Sequence, residues 1–365
     1  MSRRIHVFLG TKAQYIKTAP LLRLMDARGV DYRLIDSGQH AALAAGLRRE
    51  LGVHEPDHVL GGSTDITTVP QAVRWSLGLG SRLLAPRRLR EEVFGGAGGI
   101  CVVHGDTPST FLSALMAKRA GLATAHLEAG LRSRSLLHPF PEELIRLAVM
   151  RVSDVLFAPD DEAVENLRAL RLRGEVVPVG ANTVVEALRH SLPDRPAPGS
   201  GPAVVTLHRV ENLHSPARTE QLVDAVCAVA AERPVRFVLH GPTTEVFARR
   251  GLDARLRAAG VETTPLLPHA DFTRALAAAP FVVTDGGSVQ EECALLGVPT
   301  LLWRQRTERS DGLGRNVVLG GYDPDVVARF LADPEAHRTP PPDGGATPSE
   351  RVLEVLMARL RDGTP

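Results

Sequence analysis

Acidic side chains stand next to apolar runs at two points in the first half of the chain. Asp106 comes shortly after one such run, and Glu128 follows the next run directly. Carboxylates at these places can act as general acids or bases, although Asp106 would serve equally well as the N-cap of a helix. Glu142 opens a helical pattern that reaches Arg146 one turn later, and the helix dipole favours acidic residues there in any case. Asp106 and Glu128 are therefore candidate functional carboxylates, whereas the position of Glu142 alone indicates no more than a helix start.

The second half of the chain contains a loop suited to an anion. Asp285-Gly286-Gly287-Ser288 follows an apolar run and begins a helix. The two glycines would let a phosphate approach the backbone, Ser288 offers a hydroxyl, and the helix N-terminus carries partial positive charge. Glu292, one turn into the helix, is placed to bind ribose hydroxyls. His208 ends another apolar run, where it could contact a phosphate or move a proton.

A weaker signal of the same kind lies near the start of the chain. Gly10-Thr11-Lys12 follows the first apolar run and opens a helix in which Lys17 lies one turn further on. Backbone amides and lysines could meet an anion there. A helix cap beside a surface lysine is an equally good interpretation.

Strands that alternate with helices must position these loops. The pattern predicts parallel sheets with helices on both faces, and ligands that bind at the carboxyl ends of the strands. A Pro/Gly-rich stretch at 192–202 divides two such series, and a last helix is predicted over 349–360. We therefore predict an α/β protein with two Rossmann-like domains of the GT-B architecture, with the active site in the cleft between them. The predicted ranges are 1–182, 183–345 and a C-terminal helix at 346–365 that returns to the N-terminal domain.

Composition excludes several classes of protein. The 365 residues are 44% hydrophobic and 23% charged with a formal net charge of +1, so nothing indicates a nucleic-acid partner. No apolar run is long enough for a signal peptide or a membrane span. Cys101, Cys227 and Cys293 are far apart in apolar runs, which favours reduced thiols over a disulfide frame or a metal site. We expect a cytoplasmic protein without a bound metal.

Four motifs together resemble the UDP-N-acetylglucosamine 2-epimerase family of bacteria. They are His104-Gly105-Asp106-Thr107, the run from His126 to Arg132, Pro139-Phe140-Pro141-Glu142-Glu143, and the helix start at Gln290-Glu291-Glu292. They occur in the family's order and at similar spacing, and the resemblance runs from about residue 5 to about residue 320. Short motifs are weak singly, but four in order are specific.

The resemblance implies a two-stage reaction without a nicotinamide or metal cofactor. UDP leaves anti to the C2 proton to give 2-acetamidoglucal, and UDP then adds back with a proton delivered to the other face. It implies that Asp106, Glu128 and Glu142 are the acid/base carboxylates, without saying which is the base, and that His208 serves near the pyrophosphate.

The resemblance also implies which residues bind UDP, and that the protein is a homodimer. We expect the diphosphate and its surroundings to involve Lys12, Lys17, Arg146, His208, Gly286, Gly287 and Ser288. Glu292 would anchor the ribose. The uracil pocket would lie near Leu266–Phe272, with Phe272 either as an apolar wall or as a core residue.

Several positions depart from the family pattern. The usual Gly-Thr-Arg-Pro-Glu is Gly10-Thr11-Lys12-Ala13-Gln14, and lysine cannot form the bidentate fork of arginine. The usual Asp-Ser-Gly-Gly is permuted to Asp285-Gly286-Gly287-Ser288. Gln39 and His40 match part of a regulatory substrate site, but Val69 and Val210 stand where arginines are common. We therefore hypothesise that activation by substrate is weakened or lost.

Several alternatives stay open from the sequence. A hydrolysing epimerase would let water capture the glycal and release N-acetylmannosamine and UDP. An epimerase of another nucleotide sugar would fit the departures. The same fold also hosts glycosyltransferases, and a binding protein without turnover would keep affinity for UDP.

Overall fold

A computed structural model describes residues 3–39, 41–61, 69–134, 141–307, 309–341, 345 and 347–362, with the backbone alone at 41–44, 69–70 and 72–73. The chain divides into two compact units. The first comprises Met1–Ala187 with Gly345–Pro365, and the second comprises Leu188–Gly344.

The first unit is built on a parallel sheet. Its strands are β1 (Arg3–Leu9), β2 (Tyr32–Asp36), β3 (His58–Val59), β4 (Gly98–His104), β5 (Ala123–Leu127), β6 (Val155–Ala158) and β7 (Glu175–Pro178). Among the described residues the order across the sheet is β3-β2-β1-β4-β5-β6-β7, and every pairing is parallel. Both faces are covered, since β5 is buried at every position.

Helices of the first unit connect these strands. They are α1 (Lys12–Ala27), α2 (Ala41–Leu51), α3 (Val69–Ser81), α4 (Pro86–Glu92), α5 (Pro108–Arg119), α6 (Glu142–Val152), α7 (Asp161–Ala169) and α8 (Val184–Ser191), with a 3-10 turn at Arg82–Leu84. The division between the units falls within α8.

The second unit repeats the design on a smaller sheet. Its strands are β8 (Ala203–Leu207), β9 (Val235–Leu239), β10 (Glu262–Pro265), β11 (Val282–Thr284), β12 (Thr300–Leu302) and β13 (Val317–Leu319). Among the described residues their order is β10-β9-β8-β11-β12-β13, again parallel throughout. The helices are α9 (Val210–Leu213), α10 (Pro216–Ala230), α11 (Gly241–Arg249), α12 (Leu252–Ala258), α13 (His269–Ala278), α14 (Gly287–Leu296) and α15 (Pro324–Ala332), with a 3-10 turn at Pro334–His337.

The last helix, α16 (Pro348–Asp362), belongs to the first unit. Val352, Leu353 and Leu356 are buried in the same core cluster as β1 and α1. Ser349 donates to Glu186 from both its backbone nitrogen and its hydroxyl. The predicted α/β class, the Rossmann-like domains and the return of the C-terminal helix are thus confirmed.

No helix in the described part of the chain is long and apolar enough to cross a membrane. The three cysteines are free thiols, and Cys101 and Cys293 are buried. Burial raises the pKa of both buried thiols, that of Cys293 to about 12.

Candidate functional site

Each sheet has one point where the strand order reverses, and loops diverge there at the carboxyl ends of neighbouring strands. In the first sheet this point lies between β1 and β4, and in the second it lies between β8 and β11. Lys12, Lys17 and Asp106 follow the first pair of strands, while His208 and the glycine loop follow the second pair. Lys12, Lys17, Asp106, His208 and the glycine loop therefore lie after the strands where such sheets bind ligands.

Gln14 joins the two loops at the first switch point. Its Oε1 accepts hydrogen bonds from the backbone nitrogens of Gly10, at 2.7 Å, and Thr11, at 3.1 Å. Its Nε2 donates to the carbonyl of His104 at 2.8 Å and to the Thr110 hydroxyl at 2.8 Å. Because a carboxylate could not donate, glutamine at this position is matched to its partners. The departure Gln14 is therefore structurally accommodated.

Glu128 lies directly after β5 with a positive φ of 63°, a conformation that is uncommon for a residue with a side chain. Lys17 Nζ lies 2.6 Å from its Oε1, and Asn182 Nδ2 donates to the same oxygen at 2.8 Å. His104 Nε2 lies 3.7 Å from Oε2. The next turn needs glycine, because a Cβ on Gly130 would lie 2.4 Å from a backbone oxygen of α7. Lys17, predicted as a diphosphate ligand, thus contacts a candidate catalytic carboxylate.

Asp106 belongs to a second charged cluster. Arg146 reaches it with one guanidinium nitrogen and lies 2.5 Å from Glu143 Oε2 with another. Arg132 Nε lies 2.5 Å from the other oxygen of Glu143, and the backbone nitrogen of Ser133 donates to that carboxylate at 3.1 Å. Burial would raise the pKa of Glu143, but the bonds from Arg132 and Ser133 and the charge of Arg146 outweigh it, so the pKa is lowered.

Glu142 is the neighbour of Glu143 but has a different environment. It is the first residue of α6 and is half-buried. Its Oε2 is buried and has no hydrogen-bond partner among the described residues, which exclude 135–140 just before it. A buried oxygen of this kind calls for a partner that the described chain does not supply.

His126, in the motif before Glu128, is a structural group. It is fully buried and its Nε2 lies 2.8 Å from the carbonyl oxygen of Gly105. Burial lowers its pKa to about 4. The ring therefore stays neutral at physiological pH and links β5 to the loop that carries Asp106.

Other predicted residues of the first unit lie apart from these contacts. Lys12 is the first residue of α1 and is half-buried. The backbone nitrogen of Gln39 donates to Ser37 Oγ at 3.3 Å. His40 and the side chain of Val69 lie outside the described residues.

In the second unit, Asp285 organises the loop after β8. It is fully buried and accepts hydrogen bonds from the backbone nitrogens of His208, at 3.1 Å, and Arg209, at 2.9 Å. Asn212 donates to it at 2.9 Å and is in turn contacted by the Tyr322 hydroxyl at 2.8 Å. These bonds fix the loop that presents His208.

The His208 ring is held on two sides. Nδ1 lies 3.2 Å from Asp285 Oδ1, and the ring stacks on His240 with centroids 4.6 Å apart. Burial lowers the pKa of His208, while the Asp285 carboxylate opposes that shift. Val210, two residues on, is 63% exposed.

The N-terminus of α14 has the features of an anion site. Gly286 is its N-cap and so offers no capping side chain, and Gly287 and Ser288 are half-buried in the first turn. Gln290 and Arg309 tie the following loop to the helix, since Gln290 Nε2 donates to the Arg309 carbonyl at 3.2 Å. Glu291 Oε2 lies 3.1 Å from the Arg309 guanidinium.

Glu292 and Phe272 complete the predicted set. Glu292 is buried in the second turn of α14. Phe272 is half-buried on α13 and packs against the core cluster that contains Leu276 and Val282. This packing matches the core role that the sequence left open for Phe272.

Sequence reasoning assigned no role to five residues of these clusters. Asn182 and His240 follow the carboxyl ends of β7 and β9, so the rule that selected Asp106 could have found them. Arg132 and Glu143 stand in the quoted motifs, but their pairing could not be predicted because it depends on the folded chain. Asp285 was noted only as part of the glycine loop. Among the described residues, no three His, Cys, Asp or Glu side chains are grouped to hold a metal ion.

Comparison with known proteins shows the family to which the chain belongs. The family model for UDP-N-acetylglucosamine 2-epimerase matches residues 23–338. The chain is 29% identical to the UDP-N-acetylglucosamine 2-epimerase of Bacillus subtilis, covering 97% of this chain and 95% of that one. It is 28% identical to the UDP-2,3-diacetamido-2,3-dideoxy-D-glucuronate 2-epimerase of Pseudomonas aeruginosa, covering 97% and 99%.

The fold is similar to that of a solved relative. The Methanocaldococcus jannaschii UDP-GlcNAc 2-epimerase, in complex with UDP-GlcNAc and UDP, superposes with a TM-score of 0.81 at 24% identity, covering 97% of this chain and 99% of that one. The family predicted from the motifs is confirmed. This chain belongs to the UDP-N-acetylglucosamine 2-epimerase family as a divergent member, and it is an isomerase.

Proposed function

We propose that this protein converts UDP-N-acetylglucosamine to UDP-N-acetylmannosamine by eliminating UDP and adding it back. The observation that carries the proposal is a set of three carboxylates in the first unit, each in a different environment. Asp106 contacts Arg146, Glu128 contacts Lys17 and Asn182, and Glu142 keeps a buried oxygen without a partner in the described chain. Different surroundings let chemically similar groups take different roles.

In the elimination step, a carboxylate removes the C2 proton while the bond from C1 to the diphosphate oxygen breaks. The electron pair of the C2–H bond forms the double bond of 2-acetamidoglucal, and the pair of the broken bond leaves with UDP. The C2 hydrogen is only weakly acidic, so proton removal must be helped by departure of the leaving group. Re-addition of UDP, with a proton delivered to the opposite face of C2, gives the inverted product.

Glu142 is the carboxylate best suited to take the proton. Asp106 and Glu128 already have cationic partners, whereas Glu142 Oε2 has none within the part of the chain that is described. We assign Asp106 and Glu128 to the remaining acid/base steps. Lys17 and Arg146 would then exchange contacts with substrate during turnover.

The second unit would bind UDP. The N-terminus of α14, with Gly286, Gly287 and Ser288, supplies backbone amides and a hydroxyl to the diphosphate, and His208 stabilises the leaving group. Lys12 would add positive charge. Glu292 would bind the ribose, and Phe272 would border the uracil from its place on the core.

Another nucleotide sugar is the second candidate substrate. One relative of similar identity acts, by its name, on UDP-2,3-diacetamido-2,3-dideoxy-D-glucuronate. Lys12 and Val210 also replace arginines that are usual in the family, so the charge offered to the substrate differs. A hydrolysing outcome, with water capturing the glycal, stays a third candidate.

Three further proposals follow from the family. The protein would act as a homodimer in the cytoplasm. Regulation through Gln39 and His40 would be weak or lost, because Val210 offers an exposed apolar side chain instead of a guanidinium. Activity that rises hyperbolically with substrate concentration would support the loss of regulation, and sigmoidal kinetics would contradict that loss.

Proton NMR in heavy water tests the proposed reaction. Purified protein and UDP-N-acetylglucosamine should yield a UDP-linked manno product with deuterium at C2. Deuterated free N-acetylmannosamine would indicate the hydrolysing reaction instead. If C2 does not exchange over hours, this substrate is wrong, and the diacetamido glucuronate is tested next.

A further inference from the structure

A side chain at position 286 would collide with the His208 ring. A Cβ placed there would lie 2.8 Å from Cε1 of His208, closer than real Cβ contacts. The backbone at Gly286 has φ −85° and ψ 126°, which every L-residue can adopt. A side chain at 286 would therefore have to displace the His208 ring, whereas the backbone conformation sets no such limit.

The ring cannot easily move away. His240 stacks on it with centroids 4.6 Å apart, and Asp285 Oδ1 lies 3.2 Å from Nδ1. The backbone nitrogen of His208 is also bonded to the buried Asp285 carboxylate. A side chain at 286 would have to break the stacking or the contact with Asp285.

We propose that Gly286 is a positioning residue that lets the His208 imidazole lie against the N-terminus of α14. In the family's usual order, Asp-Ser-Gly-Gly, serine would fall on position 286. In this chain the serine is at 288, and the glycine at 286 leaves space for the His208 ring. Its effect on turnover rests on the function proposed above, whereas the position of the ring does not.

The test compares Gly286→Ser and Gly286→Ala with a control, Gly241→Ala. Gly241 is the first residue of α11, just after His240, and a Cβ there would meet no heavy atom within 4 Å. The readouts are the ¹H–¹⁵N NMR signals of the His208 ring, assigned with His208→Gln, the melting temperature, UDP binding, and kcat and KM.

We expect Gly286→Ser to shift the His208 ring signals while the protein stays folded. The kcat should fall by about 10²-fold, the order expected when a catalytic group is misplaced by about 1 Å. Gly286→Ala should shift the His208 ring signals and lower kcat in the same direction, but by less. Gly241→Ala should leave the ring signals and kcat as in the wild type.

Wild-type ring signals in both Gly286 variants would overturn the proposal. If Gly286→Ser fails to fold, the His208 ring signals of Gly286→Ala decide between the outcomes. If the wild-type protein shows no turnover, the proposed function fails, and the NMR comparison alone decides whether Gly286 positions His208.

Discussion

The two units satisfy the charges of their candidate sites in different ways. In the first unit, Asp106 and Glu128 contact the side chains of Arg146 and Lys17, which come from other elements. In the second unit, Asp285 accepts mainly backbone amides, and α14 presents its own uncapped N-terminus. Side-chain ion pairs can be exchanged for substrate contacts, whereas backbone dipoles stay fixed. The first arrangement suits proton transfer, and the second suits binding of an anion.

Amide substitutions of the first unit's carboxylates should have the largest effect. Asp106→Asn and Glu128→Gln should each lower kcat by about 10²–10⁴-fold, the usual contribution of general acid–base catalysis. UDP affinity, measured by calorimetry, should change little if the second unit binds UDP. Glu91→Gln, at an exposed site on α4, is the control. Equal losses of UDP affinity and kcat would contradict the division of roles between the units.

The adjacent pair Glu142 and Glu143 should separate catalysis from stability. Glu143→Gln should lower the free energy of unfolding by about 3–5 kcal/mol, since it removes a buried charge shared by Arg132 and Arg146. Glu142→Gln should leave stability nearly unchanged but slow C2 exchange by about 10²-fold or more. Urea denaturation and NMR in heavy water measure the two effects. The opposite pattern would show that the roles of the neighbours are reversed.

Acidification should destabilise the first unit through two buried histidines. Burial lowers the pKa of both His6 and His126 from 6.5 to about 4. Between these values the unfolded chain binds protons that the folded chain does not. The free energy of unfolding should therefore fall by about 1.4 kcal/mol per pH unit for each histidine as pH decreases.

His6→Gln should reduce the number of protons taken up on unfolding by about one, and so lower the slope of the free energy of unfolding against pH. His54→Gln, at an exposed site of the same unit, is the control. Urea denaturation at several pH values within the window measures the slope. A slope unchanged by His6→Gln would mean that other groups cause the acid sensitivity.

The smallest effect is expected at Asn182. Asn182→Ala removes one hydrogen bond to Glu128 but leaves Lys17 in place, so kcat should fall about tenfold, near the value of one such bond. The pH profile of kcat should shift as well, since the surroundings of Glu128 change. A lower melting temperature with unchanged kcat would make Asn182 a purely structural residue.

Local patterns predicted most of the elements. The strand-like runs at 32–36, 155–158 and 203–207 form β2, β6 and β8. Two short strands, β3 and β13, give no signal in the sequence, because a run of two or three residues carries no clear period. The prediction that ligands bind at strand ends also located His208 and the glycine loop. Each of these signals lies within a few consecutive residues and is therefore visible in the sequence.

The sequence by itself determined the family, the alternation of strands and helices, and the loops that carry the chemistry, because these depend on motifs and on spacings of a few residues. Only the tertiary structure decided which cation meets which carboxylate. Lys17 and Glu128 are 111 positions apart, and Arg146 and Asp106 are 40 apart. Such pairs depend on the order of strands in the sheet, which brings distant loops to one edge. For the same reason, the tight fit between Gly286 and His208 cannot be read from either residue alone.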